Sequence, residues 1–148
     1  RPAAPCRWAG RLMSTLAEVR AALAATLGTL AAGDVKALKV FDRRPTQINT
    51  NLAVYLGEFS GRRETQDGGD VVVLPVIAIC GTLDNDASWD NEDRFVGGDL
   101  SIIDHIDANP SIGLDDVTAT ISGEWNEVAV TVGGVDLLGV QFTVAVQY

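Results

Sequence analysis

The strongest constraint on the fold is a two-residue alternation of apolar and polar side chains over residues 117–148. Successive side chains of a β-strand point to opposite faces of the sheet, so this period gives each strand one apolar face and one polar face. Glycines near Gly123 and at Gly133-Gly134 predict the turns between the strands,. We therefore predict an antiparallel meander in this region, with its apolar face covered by helices.

Residues 15–32 have the three- and four-residue apolar spacing of a helix that covers such a face. Thr15 and Glu18 have the spacing of a capping box, in which each side chain accepts a hydrogen bond from the other residue's amide. The apolar stripe consists of Leu16, Val19, Leu23, Leu27 and Leu30,. Residues 99–109 are a second predicted helix, which ends before Pro110,.

Three further strands are predicted before that helix, at residues 35–42, 52–59 and 70–80. The third is apolar on both faces, as buried strands are, and Pro75 within it predicts a bulge because proline donates no ladder hydrogen bond. Residues 60–70 are predicted to be a polar connection, and residues 84–98 a helical insertion. The fold class is therefore α+β: an N-terminal helix and a central helical insertion packed on a mixed, mainly antiparallel β-sheet ending in a meander.

Residues 1–12 differ from the rest because they are rich in Arg, Ala, Pro and Trp and lack a period. We interpret them as a leader, or as upstream or vector-encoded sequence, outside the fold, which leaves residues 13–148 as a single domain. Two distant cysteines, Cys6 and Cys80, form no disulfide or metal pattern, which fits a reducing cytoplasm,. No apolar run approaches the ~18 residues of a membrane span, so we expect no membrane partner.

Charge divides the chain into two unlike parts. Up to Arg63 there are ten basic and four acidic side chains, a net +6, and after it one basic and sixteen acidic ones, a net −15. Such polarity suits head-to-tail contact between identical subunits and argues against a general DNA binder. The candidate subunit-interface residues are Arg43, Arg44, Arg62, Arg63, Asp84, Asp86, Asp90, Glu92 and Asp93; solvated surface charge is the alternative interpretation.

No catalytic, cofactor-binding or metal-binding residue is predicted, and the protein is not expected to be an enzyme. An EF-hand loop starting at Asp84 requires glycine and glutamate where the chain has Trp89 and Phe95,. A looser Mg²⁺ site built on Asp84, Asp86 and Asp90, as in a metal-dependent nuclease, stays open as an alternative. The sole histidine, His105, is interpreted as a surface or boundary residue rather than a general base.

Two segments carry a resemblance to a known family. They are Asp-Ala-Asn-Pro-Ser-Ile-Gly at residues 107–113 and Val-Gly-Gly-Val-Asp-Leu-Leu-Gly-Val-Gln-Phe-Thr-Val at residues 132–144. With the order of helices and strands, they resemble the tail-terminator (neck) proteins of siphophages, especially those that infect actinobacteria. The chain departs from that pattern at Asn109, Ser111 and Leu138, where the family commonly has an acidic, a threonine and an aromatic residue.

The resemblance implies a structural virion protein without cofactors. Its copies form a hexameric ring that caps the tail tube and joins it to the head-closure or connector protein, while DNA only passes through the lumen. The expected location is the tail or neck of the virion, and the host cytoplasm during assembly. An acidic lumen lining is a further hypothesis. Another head–tail connector or minor tail protein is the nearest alternative, followed by the nuclease and an acidic ligand-binding domain.

Overall fold

The structure is a computed structural model that describes residues 15–31, 38–48, 52–58, 60–63, 70–83 and 85–148. The interpretation of residues 1–12 as a leader concerns residues outside these ranges. Within them the α+β class is confirmed, because helices pack on one face of a mixed, mainly antiparallel sheet. None of the helices in these ranges is long and apolar enough to cross a membrane.

The order of elements follows the predicted one with two additions, a 3₁₀ turn and a short strand, and one merger, because the strands predicted on either side of Gly123 are one strand. The helices are α1 (Leu16–Gly28), continued by a 3₁₀ turn (Thr29–Ala31), α2 (Asp86–Gly97) and α3 (Ile102–Ala108). The strands are β1 (Leu38–Phe41), β2 (Leu52–Leu56), β3 (Ser60–Arg63), β4 (Asp70–Thr82), β5 (Thr118–Val132) and β6 (Val135–Gln147). They form one sheet in the order β1-β2-β4-β6-β5, with β3 beside the first residues of β4; only β1 and β2 are parallel.

The main core lies between the three helices and one face of this sheet, which we call the helix face. Thr15 and Glu18 cap α1 reciprocally: the Glu18 amide donates to Thr15 Oγ1 at 3.2 Å and the Thr15 amide to Glu18 Oε1 at 3.0 Å, as predicted. Burying each large aliphatic side chain stabilises the fold by roughly 1.5–3 kcal/mol. The fully buried side chains of the two central strands are Leu74, Val76, Ala78, Val140, Phe142, Val144 and Val146.

A smaller apolar cluster lies on the opposite face of the sheet. Tyr55, Ile79 and Leu137 belong to it, and Phe41 and Ile48 pack against them. Because β1 and β2 are parallel, the chain between them has to return along the sheet, and its described part, residues 42–48, lies on this second face. The segment is tied to the β5–β6 hairpin, since the Arg44 guanidinium donates to the Thr131 carbonyl.

The predicted turn near Gly123 is wrong. β5 runs without a break from Thr118 to Val132, and the pairing with β6 shifts register between Ile121 and Trp125. The residues between them form a bulge, in which Ser122 Oγ accepts a hydrogen bond from the Glu124 amide at 3.2 Å,. The closing meander therefore consists of two long strands and one turn, at Gly133-Gly134.

The predicted bulge at Pro75 is also wrong, because the pairing of β4 with β6 continues through this residue. The Pro75 carbonyl accepts a hydrogen bond from the Gly57 amide, so the Pro75 nitrogen faces the same side of β4. On this side β3 pairs with β4 only up to Val73 and β2 only from Val76 onward, so neither strand requires an N–H at Pro75. The missing N–H thus costs no ladder hydrogen bond. β3 is a strand that the polar sequence of residues 60–70 did not predict.

The irregularity in β4 lies instead between Ile79 and Gly81, where the pairing with β6 shifts register. Gly81 has φ +140, and a Cβ added there would overlap Ser88 Oγ of α2. We expect Gly81→Ala to lower the free energy of unfolding by about 2 kcal/mol, through backbone strain and displacement of α2. Chemical denaturation followed by circular dichroism measures this difference.

The matched control is Gly97→Ala at the end of α2. A Cβ there meets no atom within 4 Å, and alanine is the better helix former,. The control is expected to leave stability unchanged or to raise it by up to about 1 kcal/mol. Equal effects of the two substitutions would contradict the packing of α2 on Gly81.

Candidate subunit interface

In the described part of the chain the five-strand path ends at β1 on one side and at β5 on the other, and the short strand β3, which pairs only with β4, adds a third free edge. An edge strand presents backbone N–H and C=O groups that have no partner in their own sheet, and it can pair with another chain. The β1 and β5 edges lie on opposite sides of the five-strand path, so one surface patch cannot include both. Both edges can therefore take part in contacts between subunits.

The β1 edge is basic. Lys39 is exposed on β1, and Arg43 and Arg44 follow within the next residues, against the single acid Asp42. Arg43 Nε lies 3.6 Å from Asp42 Oδ1, and both side chains are largely exposed, so this pair neutralises little of the charge,. Of the predicted interface residues, Arg43 therefore lies at the β1 edge, whereas the Arg44 guanidinium reaches the Thr131 carbonyl of β5 and adds its charge there.

A groove of about 340 Å³ opens beside these arginines. Tyr55 lies in its wall, where burial raises the pKa of the phenol while the nearby Arg44 acts in the opposite direction. The groove combines an apolar wall with a charged rim, as surfaces that bind another protein do. Its lining consists of Arg20, Asp42, Arg43, Arg44, Tyr55, Leu56, Gly57, Glu58 and Ile77.

The β5 edge is acidic and carries an exposed aromatic side chain. Between Thr118 and Val132 the strand has two acids, Glu124 and Glu127, and no basic residue. Trp125 lies between them and is 45% exposed. Two acids of the acidic part of the sequence thus lie on the β5 edge, while others lie on α2 and α3.

The acidic cluster predicted at residues 84–93 falls largely on α2. Asp86, Asp90 and Asp93 are exposed on this helix, whose N-cap is the side chain of Asn85. Asp84 lies outside the described residues. In the described ranges no three His, Cys, Asp or Glu side chains come together in a way that can hold a metal ion.

Arg62 and Arg63 belong to β3, where their backbones pair with Val71 and Asp70. β3 lies beside β4, in line with β2, and not on the β1 edge. The positions of their side chains lie outside what the structure describes. Trp89 is 47% exposed and is therefore a surface residue, while Phe95, on the same helix, is fully buried in the main core.

One predicted interface residue, Glu92, points inward from α2. Its Oε1 is buried and has no hydrogen-bond partner among the described residues. Burial raises the pKa of the Glu92 carboxyl to about 7, and the neighbouring Glu127 carboxylate acts in the same direction. Glu92 of α2 and Glu127 of β5 therefore form a carboxyl pair in which Glu92 keeps a proton near neutral pH.

Cys80 lies beside this pair. Burial, followed by the charges of Glu92 and Glu127, raises the pKa of its thiol to about 12. A thiol that stays protonated at neutral pH is a poor nucleophile and metal ligand. Cys80 is a buried core residue, as the apolar run around it predicts.

His105 has a structural environment that explains it without catalysis. Its Nε2–H donates to the Thr26 carbonyl at 2.7 Å, and Nε2 lies 2.6 Å from Thr29 Oγ1. These contacts connect α3 to the last residues of α1. The half-buried imidazole is thus a boundary residue, as predicted.

The pH dependence of stability tests the Glu92–Glu127 pair. Because the native pKa of about 7 exceeds the ordinary value of 4.5, the folded protein keeps a proton that the unfolded chain releases. Stability therefore falls as the pH rises from 4.5 to 7, and the cost of the buried charge is complete above this window,. Glu92→Gln removes the charge, so we expect it to flatten this dependence and to raise the free energy of unfolding at pH 8 by on the order of 1 kcal/mol.

Denaturation curves at several pH values measure the effect, with Asp90→Asn as the control because Asp90 is exposed on the same helix. The control is expected to keep the pH dependence of the original protein. If the curves of Glu92→Gln run parallel to those of the original protein, Glu92 does not carry the proton.

Comparison with known proteins adds no family to these observations. No protein-family model matches the chain, and no curated protein matches it significantly.

Proposed function

We propose that the protein is a tail-terminator (neck) subunit of a siphophage, a structural virion protein whose copies form a ring. The ring caps the tail tube and joins it to the head-closure or connector complex. The observation that carries this proposal is the pair of sheet edges with opposite charge: β1 with Lys39 and the following Arg43, and β5 with Glu124 and Glu127.

Opposite edges of this kind favour a ring over a twofold dimer. In a twofold dimer the same patch of both copies meets itself, which would bring like charges together. A head-to-tail contact brings the acidic β5 edge of one copy to the basic β1 edge of the next. Repeating this contact closes a ring when a whole number of equal rotations between copies makes a full turn. The family resemblance implies six copies.

The two segments that carry the family resemblance flank the acidic edge strand. Residues 107–113 form the turn that leads into β5, where the Ala119 amide donates to the Pro110 carbonyl at 2.6 Å. Residues 132–144 contain the Gly133-Gly134 turn that leads out of it. The resemblance therefore concerns the part of the fold that presents the proposed interface.

The remaining charge suits a ring through which DNA passes without being bound. After Arg63 the chain has a single basic residue, Arg94. Its guanidinium donates two hydrogen bonds to the Asp99 carboxylate, from Nε to Oδ1 at 2.9 Å and from Nη2 to Oδ2 at 3.0 Å. Stable phosphate binding requires clustered cations. An acidic lumen lining is part of the proposal, and it predicts that the exposed acids of α2 or β5 line the channel of the assembled ring.

The test combines size measurement with tail tubes. We expect light scattering and negative-stain imaging to show hexameric rings, either alone or on tubes assembled from the cognate tail tube protein. Added protein should bind tube ends and stop their growth. Because the contact depends on opposite charges, the rings should dissociate more readily as the NaCl concentration rises.

Three results would count against the proposal. Binding to the head-closure protein without any binding to tube ends would indicate another connector protein. Mg²⁺-dependent cleavage of DNA would indicate the nuclease. A monomer that leaves tube growth unchanged would exclude the terminator role.

A further inference from the structure

We infer that β5 of one copy pairs edge to edge with β1 of a second copy, and that Trp125 then enters the groove between α1 and β1 of that copy. The inference deepens the proposed function and rests on it, because the second copy is the partner. It adds the residue that anchors the contact and the groove that receives it.

Trp125 is placed at the acidic edge with its side chain on the helix face. It lies directly opposite Phe142 of β6, and Phe142 is fully buried in the main core under the helices. Residues directly opposite each other in neighbouring strands share a face. Trp125 therefore points to the side of the sheet on which the helices lie, yet it remains 45% exposed at the rim.

The receiving groove lies on the same face, at the other edge of the sheet. It has a volume of about 520 Å³ and runs between the small side chains of α1 and the edge strand β1. Leu38 pairs with Leu52 and Val40 with Val54, so both point to the helix face. The groove is lined by Ala21, Ala24, Ala25, Gly28, Leu38, Val40, Phe41 and Asp42.

The geometry of a continuous sheet brings these two features together. When one sheet continues into the next, the helix-face side chains of the joined strands lie side by side. The helix-face side chain Trp125 of β5 would then lie next to Leu38 and Val40 of the second copy and below its α1. The alanines and Gly28 leave room there, since a Cβ added to Gly28 meets no atom within 4 Å.

Charge selects this pairing over the pairing of two identical edges. Two β5 strands side by side would bring Glu124 and Glu127 of both copies together, which is unfavourable. β1 instead offers Lys39, which pairs with Ala53 and so lies on the face opposite the helices, and Arg43 just after the strand. On the helix face the contact is apolar, and an aromatic side chain in a pocket is a usual strong contact point.

The first test compares two exposed tryptophans. We expect Trp125→Ala to weaken ring formation at least about tenfold, measured as the protein concentration at half assembly by sedimentation, alone and on tail tubes. Trp89→Ala is the matched control, because Trp89 is 47% exposed on α2 and is not part of either edge. The control should assemble like the original protein.

The second test uses the groove. Ala25 is exposed, so Ala25→Phe should fold normally while filling the groove, and alone it should fail to form rings. A mixture of the two variants can form one intact contact, with Trp125 of the Ala25→Phe copy in the open groove of the Trp125→Ala copy. The mixture should therefore form dimers of one copy each and no rings.

The outcomes separate this inference from the proposed function. Rings that form on tube ends regardless of Trp125→Ala and Ala25→Phe would overturn the inference and leave the terminator role in place. Variants that assemble poorly but give no dimer on mixing would also overturn it. An original protein that neither self-associates nor binds tube ends would exclude the proposed function and this contact together.

Discussion

The fold depends on the pairing of β4 with β6, two strands of thirteen residues each. Their helix-face side chains alternate at every second position and are completely buried, so the pair supplies the central layer of the main core. Every other element is attached to it: β2 and β3 pair with the free side of β4, β5 pairs with β6, and the helices pack on one face. Both charged edges owe their positions to this central pair.

The sequence predicted those parts of the fold that depend on local periodicity, and it missed those that depend on a neighbouring strand. The alternation predicts the helix-face side chains of β5 up to Ile121 and of β6 from Val140 onward, and Thr15 and Glu18 predict the start of α1. Beyond the bulge the prediction is wrong, because Val130 and Val132 belong to the cluster on the opposite face. A glycine with polar neighbours, as at Gly123, fits a turn and a bulge equally well, and only the register with β6 decides between them. The polar residues of β3 show no strand pattern in the sequence, and they form a strand because they pair with β4.

The same distinction applies to the candidate interface. The division of charge could be predicted from composition, but which of the charged residues lie on two opposite edges requires the strand order. The Glu92–Glu127 pair joins an α2 residue to a β5 residue thirty-five positions later in the sequence, so no local pattern predicts it. Trp125 has one signal in the sequence, an aromatic residue between two glutamates, whose meaning becomes clear only when β5 is seen to be an edge.

The hydrogen bond from the Arg44 guanidinium to the Thr131 carbonyl has a structural consequence. Arg44 follows the basic edge strand, whereas Thr131 lies near the end of the acidic one, so a single contact joins segments that leave opposite edges. Residues 42–48 therefore bridge the β1 end of the sheet and the β5–β6 hairpin across the face opposite the helices, where Thr46 and Gln47 also lie beside Gly133. The two ends of the strand order are thus joined twice, through the paired strands and through this segment.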